Sequence, residues 1–457
     1  LTITAILTAA EMRAAEAAVF ASGVPEYALM QRAGRAAAEF IWRAGGQRDT
    51  LVLCGPGNNG GDGYVIAAAL RERGVAVRVA ASAEPGTPSA RQARADWSGP
   101  VEDIGTAAPA RQLVDALFGT GLTRGLDPML AGRLGELAVT AELAHTVDLP
   151  SGIATDSGAI LSSVPVFDLC ISLGAWKPAH VLRPAAQQWK RMVCADIGIE
   201  SADAPVHRLA KPRLAPPDGN AHKYTRGLVA VVAGAMAGAG ALAAEAAARA
   251  GAGYVTLIGA QAIVPTPHAI VRRRMKALND TRIGCVLVGP GLGREGAAHE
   301  TLRAALAHGH PAVVDADGLH GLAQAGFEVL PQRAILTPHA GEFAALFPDI
   351  EGSVIEQARA AARASGAVVV LKGSVSVAAA SDGRACVSEG ASPWLSTAGT
   401  GDVLAGLCAA RLAVTGDPFA AATQALWLHR EAARRAGPAF IADDLLPQIA
   451  PAIGACL

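Results

Sequence analysis

The stretch CGPGNNGGDGY, Cys54 to Tyr64, sets five glycines and two asparagines directly behind the apolar run TLVLC, Thr50 to Cys54. Glycine tolerates positive φ and lets a ligand approach the backbone, so a glycine-rich turn from strand to helix offers its amides to phosphate. The run is longer and more polar than a phosphate turn alone requires. Working outward from it, short apolar runs alternate with alanine-rich helical stretches: VAVRVAA (75–81), LVDALFG (113–119), HTVDLPSG (145–152) and DLCISLGA (168–175). This alternation predicts a parallel sheet covered by helices on both faces. Upstream, TAAE at Thr8 to Glu11 predicts a helix opened by a capping box.

The 457 residues exceed one ordinary core and predict two domains. Between Ser201 and Asn220 the pattern lapses into SADAPVHRLAKPRLAPPDGN, rich in proline and without periodic apolar positions. The expected division is a first domain over 1–205, a linker over 206–219 and a second domain over 220–457. The second α/β series runs through GLVAVVAG (227–234), YVTLIG (254–259), CVLVGPGLG (285–293), PAVVDADG (311–318), AILTPH (334–339) and AVVVLKG (367–373). No short-period repeat interrupts it, which argues against a solenoid.

Charged residues make up 17% of the chain and the net charge is −1, so neither nucleic acid nor an anionic membrane surface is an expected partner. No stretch is long and apolar enough for a spanning helix. Seven cysteines (Cys54, Cys170, Cys194, Cys285, Cys386, Cys408, Cys456) are scattered without CxxC spacing, and no basic segment precedes an apolar core at the N-terminus. A cytoplasmic protein with free thiols is expected, acting on small molecules and assembling as a homo-oligomer.

In open α/β sheets ligands bind beyond the carboxyl ends of the strands. Three such ends in the first half collect polar residues: Asn58 to Asp62, DALFGTGLTRG from Asp115 to Gly125, and VDLPSG with Asp148 and Ser151. Each alone also reads as a capped turn; the three together point to a site. Oxygen donors such as Asn59, Asp115 and Ser151 suit a hard cation, and a single carboxylate favours a monovalent ion. Asp148 is then free for proton transfer.

The order GPGNNGGDG, DALFGTG, VDLPSG resembles the NAD(P)H-hydrate epimerase family, over nearly all of residues 1–205. The resemblance implies a Rossmann-like domain that interconverts the R and S forms of NAD(P)H hydrated at nicotinamide C6, with bound K⁺. By motif position Asn58, Asn59, Gly60, Gly61 and Asp62, with Gly119, Thr120, Gly121, Leu122, Thr123, Arg124 and Gly125, would contact the dinucleotide. Asn59, Asp115 and Ser151 would hold K⁺, and Asp148 would be the acid and base.

In the second half STAGTGDVLAGLCAARL, Ser396 to Leu412, sets Gly399, Thr400, Gly401 and Asp402 at the start of a helix. Free amides and the macrodipole make such a start an anion hole, and a carboxylate at its mouth can take a proton from a hydroxyl that receives a phosphoryl group. GPGLG (289–293), DADG (315–318), TPHAGE (337–342) and KGSVS (372–376) occupy other strand ends. Taken singly, His339 also reads as a structural histidine and Lys372 as an exposed one. The set resembles the ribokinase-like fold, and within it the ADP- or ATP-dependent NAD(P)H-hydrate dehydratases, over about 215–457. The resemblance implies that Lys372, Gly373, Ser374, Val375, Ser376 and Gly401 bind the nucleotide, that Ala239, Gly291, His339 and Asp402 line the hydrate site, and that Asp402 is the base. Mg²⁺ would enter with the nucleotide phosphates. Ser376, in place of threonine, and Ala398, in place of glycine, are conservative departures from the family pattern. A bifunctional repair enzyme is the expected function. The competing classes are a ribokinase-type small-molecule kinase with an accessory domain and a non-catalytic dinucleotide sensor.

Overall fold

The computed structural model describes residues 3–259 and 265–457. The chain divides into two compact units, residues 1–206 and 207–457. Among the described residues no helix is long and apolar enough to cross a membrane.

In the first unit seven strands, β1 (Thr50–Cys54), β2 (Val77–Ala81), β3 (Val101–Asp103), β4 (Gln112–Ala116), β5 (Leu143–Val147), β6 (Phe167–Leu173) and β7 (Trp189–Ala195), form one sheet in the order β3-β2-β1-β4-β5-β6-β7. Every neighbouring pair is parallel. Its helices are α1 (Ala9–Ala21), α2 (Glu26–Gly45), α3 (Asn58–Glu72), α4 (Pro88–Asp96), α5 (Pro128–Thr140) and α6 (Pro178–Val181). β1 is buried along its whole length, with Val52 and Cys54 in the core on one face and Leu51 and Leu53 in the core on the other. A strand covered on both faces must be apolar throughout, which is why TLVLC shows no alternation. The sheet order reverses between β1 and β4, so the loops after these strands flank the crevice where doubly wound sheets take ligands. Thr8 accepts from the Glu11 amide while Glu11 accepts from the Thr8 amide, so the capping box forms as the sequence predicts.

The second unit carries a sheet of ten strands: β8 (Val206–Arg208), β9 (Leu228–Val232), β10 (Tyr254–Ile258), β11 (Ile270–Arg273), β12 (Ile283–Val288), β13 (Ala312–Val314), β14 (Ala334–Leu336), β15 (Val368–Leu371), β16 (Ser376–Ala379) and β17 (Ala385–Ser388). Their order is β11-β10-β9-β12-β13-β14-β15-β16-β17-β8. Pairing is parallel from β11 to β15 and antiparallel through β15, β16 and β17. The helices are α7 (Ala237–Arg249), α8 (Gly296–Leu306), α9 (Asp317–Ala325), α10 (Ala340–Leu346), α11 (Val354–Ser365), α12 (Thr400–Thr415), α13 (Pro418–Ala436) and α14 (Ala442–Gly454). The alanine content has its use here. A Cβ on Gly406 of α12 would lie 2.3 Å from the Ala243 carbonyl of α7, so these two helices meet backbone to backbone. Truncating the fully buried Leu407 of α12 to alanine would cost about 2–5 kcal/mol.

The stretch 206–219, read from sequence as a linker, is partly built into the second sheet. Val206–Arg208 forms its edge strand, Arg208 Nε donates to Glu389 Oε1 at 2.8 Å, and the buried Leu214 donates its amide to the Cys456 carbonyl at 3.0 Å.

Candidate functional site

In the first unit the glycine-rich run does not form an open loop: α3 begins at Asn58, with Gly57 as its N-cap. A Cβ on Gly60 would lie 1.8 Å from the Gly55 carbonyl, so the first turn of α3 presses against the end of β1. The crevice beside it is a cavity of about 510 Å³ whose lining includes Asn58, Asn59, Asp62, Gly119 to Leu122, Asp148 and Lys177. Gly60 and Gly61 support this wall from behind, Gly61 against the Met30 side chain. Thr123, Arg124 and Gly125 lie beyond the lining.

Asp148 follows β5 with φ 63°, in the left-handed region that costs a non-glycine residue roughly 1–2 kcal/mol. The surroundings over-determine it. Its amide donates to the Ile171 carbonyl at 2.7 Å and its carbonyl accepts from His180 Nε2 at 2.7 Å. The His180 tautomer follows, because Nδ1 accepts the Lys177 amide at 2.9 Å. Lys177, only 1% exposed, ion-pairs with Asp148 Oδ1 and donates to the Leu173 carbonyl at 2.8 Å. A buried ammonium with a carboxylate and a carbonyl is a satisfied charge. It holds Asp148 at the cavity wall.

A Cβ on Gly119 would lie 3.1 Å from Asp148 Oδ2 and 3.2 Å from Asn59 Oδ1, so three of the expected residues meet. Asp115 and Ser151 meet behind them. Asp115 is fully buried and accepts from Ser151 Oγ at 2.7 Å, the Ser151 amide at 2.9 Å and the Leu117 amide at 3.1 Å. Burial pushes its carboxyl up to about 6 against those three donors. Ser151 Oγ accepts the Phe118 amide at 2.9 Å, tying the loop after β4 to the loop after β5. Asn59 Nδ2 is buried without a partner. Turning that amide over would place its oxygen there instead, a choice between orientations that the surrounding hydrogen bonds decide. Burial, followed by the charges of Asp148 and Glu16, raises the Asp62 carboxyl well above its ordinary value.

In the second unit α12 begins at Thr400 behind Gly399, whose φ is 88°. A Cβ there would lie 2.9 Å from both Ala442 Cβ and Leu242 Cδ2, so the turn demands glycine. The buried His429 bonds the Thr400 carbonyl at 2.9 Å, and Thr400 Oγ1 donates to the Leu395 carbonyl at 2.8 Å. These fix the helix start that carries Gly401 and Asp402. Asp402 is pushed up to about 7 by burial and then by Asp315, with Lys372 opposing. Lys372 Nζ donates to Asp315 Oδ1 at 2.7 Å and lies 3.9 Å from Glu342; a Cβ on Gly401 would be 3.5 Å from it. Burial works against the Lys372 ammonium, yet Asp315, Glu342 and Asp402 outweigh it and raise its pKa.

Gly373 to Val375 turn between β15 and β16, and Ser376 Oγ, at the start of β16, accepts the Gly373 amide at 3.3 Å. His339 bridges to Lys372 through the backbone, but its Nδ1 is spent capping α10, accepting the amides of Gly341 at 3.0 Å and Glu342 at 3.2 Å. Ala239 and Gly291 meet each other: a Cβ on Gly291 would lie 3.0 Å from Ala239 Cβ. Asp317, which accepts the Gly293 amide at 3.0 Å, acts electrostatically on Asp402 and so links the two clusters.

Sequence reasoning missed Lys177, His180, Asp315, Thr337 and Glu342 as site residues. Thr337 Oγ1 donates to Asp315 Oδ1 at 2.6 Å, fixing the partner of Lys372. DADG and TPHAGE were visible at strand ends, and Lys177 in WKPAH follows β6 in the same way. The strand-end signal that selected the others reaches them too.

The chain matches the NAD(P)H-hydrate dehydratase family over residues 229–453 and the YjeF-related protein N-terminus family over residues 26–179. The bifunctional NAD(P)H-hydrate repair enzyme of Salinibacter ruber is 35% identical, the alignment covering 97% of this chain and 95% of that protein. The enzyme of the same name from Gloeobacter violaceus is 36% identical, with 93% and 92% covered. Among solved structures, the ADP/ATP-dependent NAD(P)H-hydrate dehydratase of Bacillus subtilis, co-crystallized with ATP and Mg²⁺, superposes with TM-score 0.47 at 26% identity over 54% of this chain and 95% of that one. A ribokinase-like superfamily protein of Enterococcus faecalis gives TM-score 0.49 at 22% identity over 55% and 96%. The two family matches, together covering most of the chain, and two relatives aligned over more than nine-tenths of it lead to one conclusion: the chain belongs to the family of bifunctional NAD(P)H-hydrate repair enzymes.

Proposed function

We propose that the first unit interconverts R- and S-NAD(P)H hydrate at the cavity of Asp148, and that the second dehydrates the S form at Asp402 at the expense of ADP or ATP. The observation that carries this reading is one carboxylate in each unit set against a lysine that follows a parallel strand, Asp148 against the buried Lys177 and Asp402 against the half-buried Lys372.

In the first site the C6 hydroxyl of the hydrate sits beside the ring nitrogen. Protonating it releases water and leaves an iminium, and water adding to the other face gives the second epimer. Asp148, held by Lys177 and His180, exchanges the proton. Asn59, Asp115 and Ser151 form an all-oxygen donor set with one carboxylate, which fits a monovalent cation; K⁺ bound there would supply fixed positive charge for the dinucleotide.

In the second site hydroxide is too poor a leaving group to expel unaided. Asp402 takes the C6 hydroxyl proton as a phosphoryl group moves onto that oxygen; the ring nitrogen's lone pair then expels phosphate, and loss of a C5 proton restores the dihydronicotinamide. A base at about 7 has both the ionised fraction and the proton affinity for the step at neutral pH. Lys372, Gly373 to Ser376 and Gly401 receive the nucleotide phosphates, with Mg²⁺ held mainly by phosphate oxygens and water. The test is recovery of absorbance near 340 nm from a mixed hydrate pool with ADP or ATP. Recovery of both epimers supports the reading. Phosphorylation of a sugar or hydroxymethyl substrate with no action on the hydrate would replace it with the small-molecule kinase.

A further inference from the structure

Epimerisation makes a demand that one fixed carboxylate meets only in part. The hydroxyl leaves from one face of the ring and water arrives at the other, so two proton transfers occur on opposite sides. Asp148 is locked by its backbone bonds to Ile171 and His180 and by Lys177, and cannot follow the proton across.

We propose that Glu16, on α1, is the second proton-transfer group of the first site, serving the ring face that Asp148 does not. This rests on the epimerase reading above. Glu16 lines the same cavity as Asp148 but comes from a different element. Its neighbour on α1, Glu11, is spent on the capping box; among the described residues Glu16 has no hydrogen-bond or ion-pair partner. A half-buried carboxyl without a structural partner, set in the wall of a reaction cavity, has no other occupation in the fold.

The groups around Glu16 are Arg13 on α1, Glu26 on α2, Asp62 on α3, Asp148 after β5 and Lys177 after β6. Burial first, then the charges of Asp148 and Glu26, raise its carboxyl, while Lys177 and Arg13 oppose. It therefore keeps its proton to higher pH than a solvated glutamate does. In one direction that proton passes to the C6 hydroxyl oxygen, the C6–O bond breaks with its electron pair leaving as water, and the nitrogen lone pair closes the N=C6 bond. A water then attacks C6 from the other face, the N=C6 pair returns to nitrogen, and the proton it sheds goes to the Asp148 carboxylate. The opposite direction exchanges the two roles, and solvent resets the protons between turnovers.

The experiment compares Glu16→Gln and Glu16→Asp with the wild-type full-length chain, following R-hydrate consumption between pH 5.5 and 9, with dehydration of pure S-hydrate as the internal control. Glu16→Gln is expected to lower the epimerase kcat by about 10²-fold, with KM little changed and one limb of the pH profile lost. Glu16→Asp should restore part of the rate, and S-hydrate dehydration should stay at the wild-type level in both. A wild-type kcat and pH profile in Glu16→Gln overturns the proposal, as does a rise in KM alone, which would make Glu16 a binding group. A wild-type chain that consumes S- but never R-hydrate would instead sink the epimerase reading beneath it.

Discussion

Replacing Asp402 with asparagine should stabilise the second unit at pH 8 while disabling its chemistry. The Asp402 carboxyl is raised from 3.8 to about 7, chiefly by burial and secondly by Asp315. At pH 8 the unfolded chain ionises this group freely, but the folded chain must ionise it against that burial. A rise of this size corresponds to about 4 kcal/mol, and water reaching the partly open carboxyl reduces this to about 2 kcal/mol. The sign follows from proton binding: between 3.8 and about 7 the folded state holds the proton more tightly, so wild-type stability falls as pH rises through that window. Asparagine keeps the shape and carries no such cost. Urea unfolding of the full chain without nucleotide, at pH 4 and pH 8, measures the difference. The variant should gain about 2 kcal/mol at pH 8, a gain that largely vanishes at pH 4, while its S-hydrate dehydration rate falls by about 10²-fold or more. An equal gain at both pH values, or none, would refute the claim that Asp402 is ionised against its surroundings. A full dehydration rate in a folded variant would remove it as the base.

Lys372→Met should move the rising limb of the dehydratase pH profile upward, because Lys372 lowers the proton affinity of Asp402, and should cost about 3–5 kcal/mol by leaving Asp315 buried without its ion pair; a profile unmoved on the pH axis would separate the two groups. Asp115→Asn removes the one formal charge among Asn59, Asp115 and Ser151, so epimerase KM should lose its preference for K⁺ over Na⁺, checked by rates in matched chloride salts; unchanged ion dependence would make Asp115 and Ser151 a structural turn.

The parts of the fold legible in the sequence are the strands buried on both faces. TLVLC, GLVAVVAG and AVVVLKG announce themselves because a fully covered strand has to be apolar throughout. The edge strands do not. Val101–Asp103, Ile270–Arg273 and Val206–Arg208 are short, carry charges and lie at the rims of their sheets, where composition matches that of loops. The site residues found were those in glycine-flanked motifs, because a close backbone approach requires glycine. Lys177 and Asp315 stand after strands, so their position was legible, but their burial as charges was not: only tertiary pairing, to Asp148 and to Lys372, gives them their place. His339 illustrates the converse, for its motif was conspicuous while its Nδ1 serves as a helix cap.

Two independent carboxylate sites acting in sequence on one pool can be separated and then recombined by complementation. A mixed hydrate pool with ADP or ATP is given Asp148→Asn enzyme, and absorbance near 340 nm is followed until it stops. Asp402→Asn enzyme is then added. The first trace should stall once the S form is spent, apart from slow spontaneous epimerisation, and the second enzyme, inactive alone, should restart recovery and carry it to completion. Complete recovery by Asp148→Asn alone at the wild-type rate, or no restart on adding Asp402→Asn, would contradict the assignment of one carboxylate to each reaction.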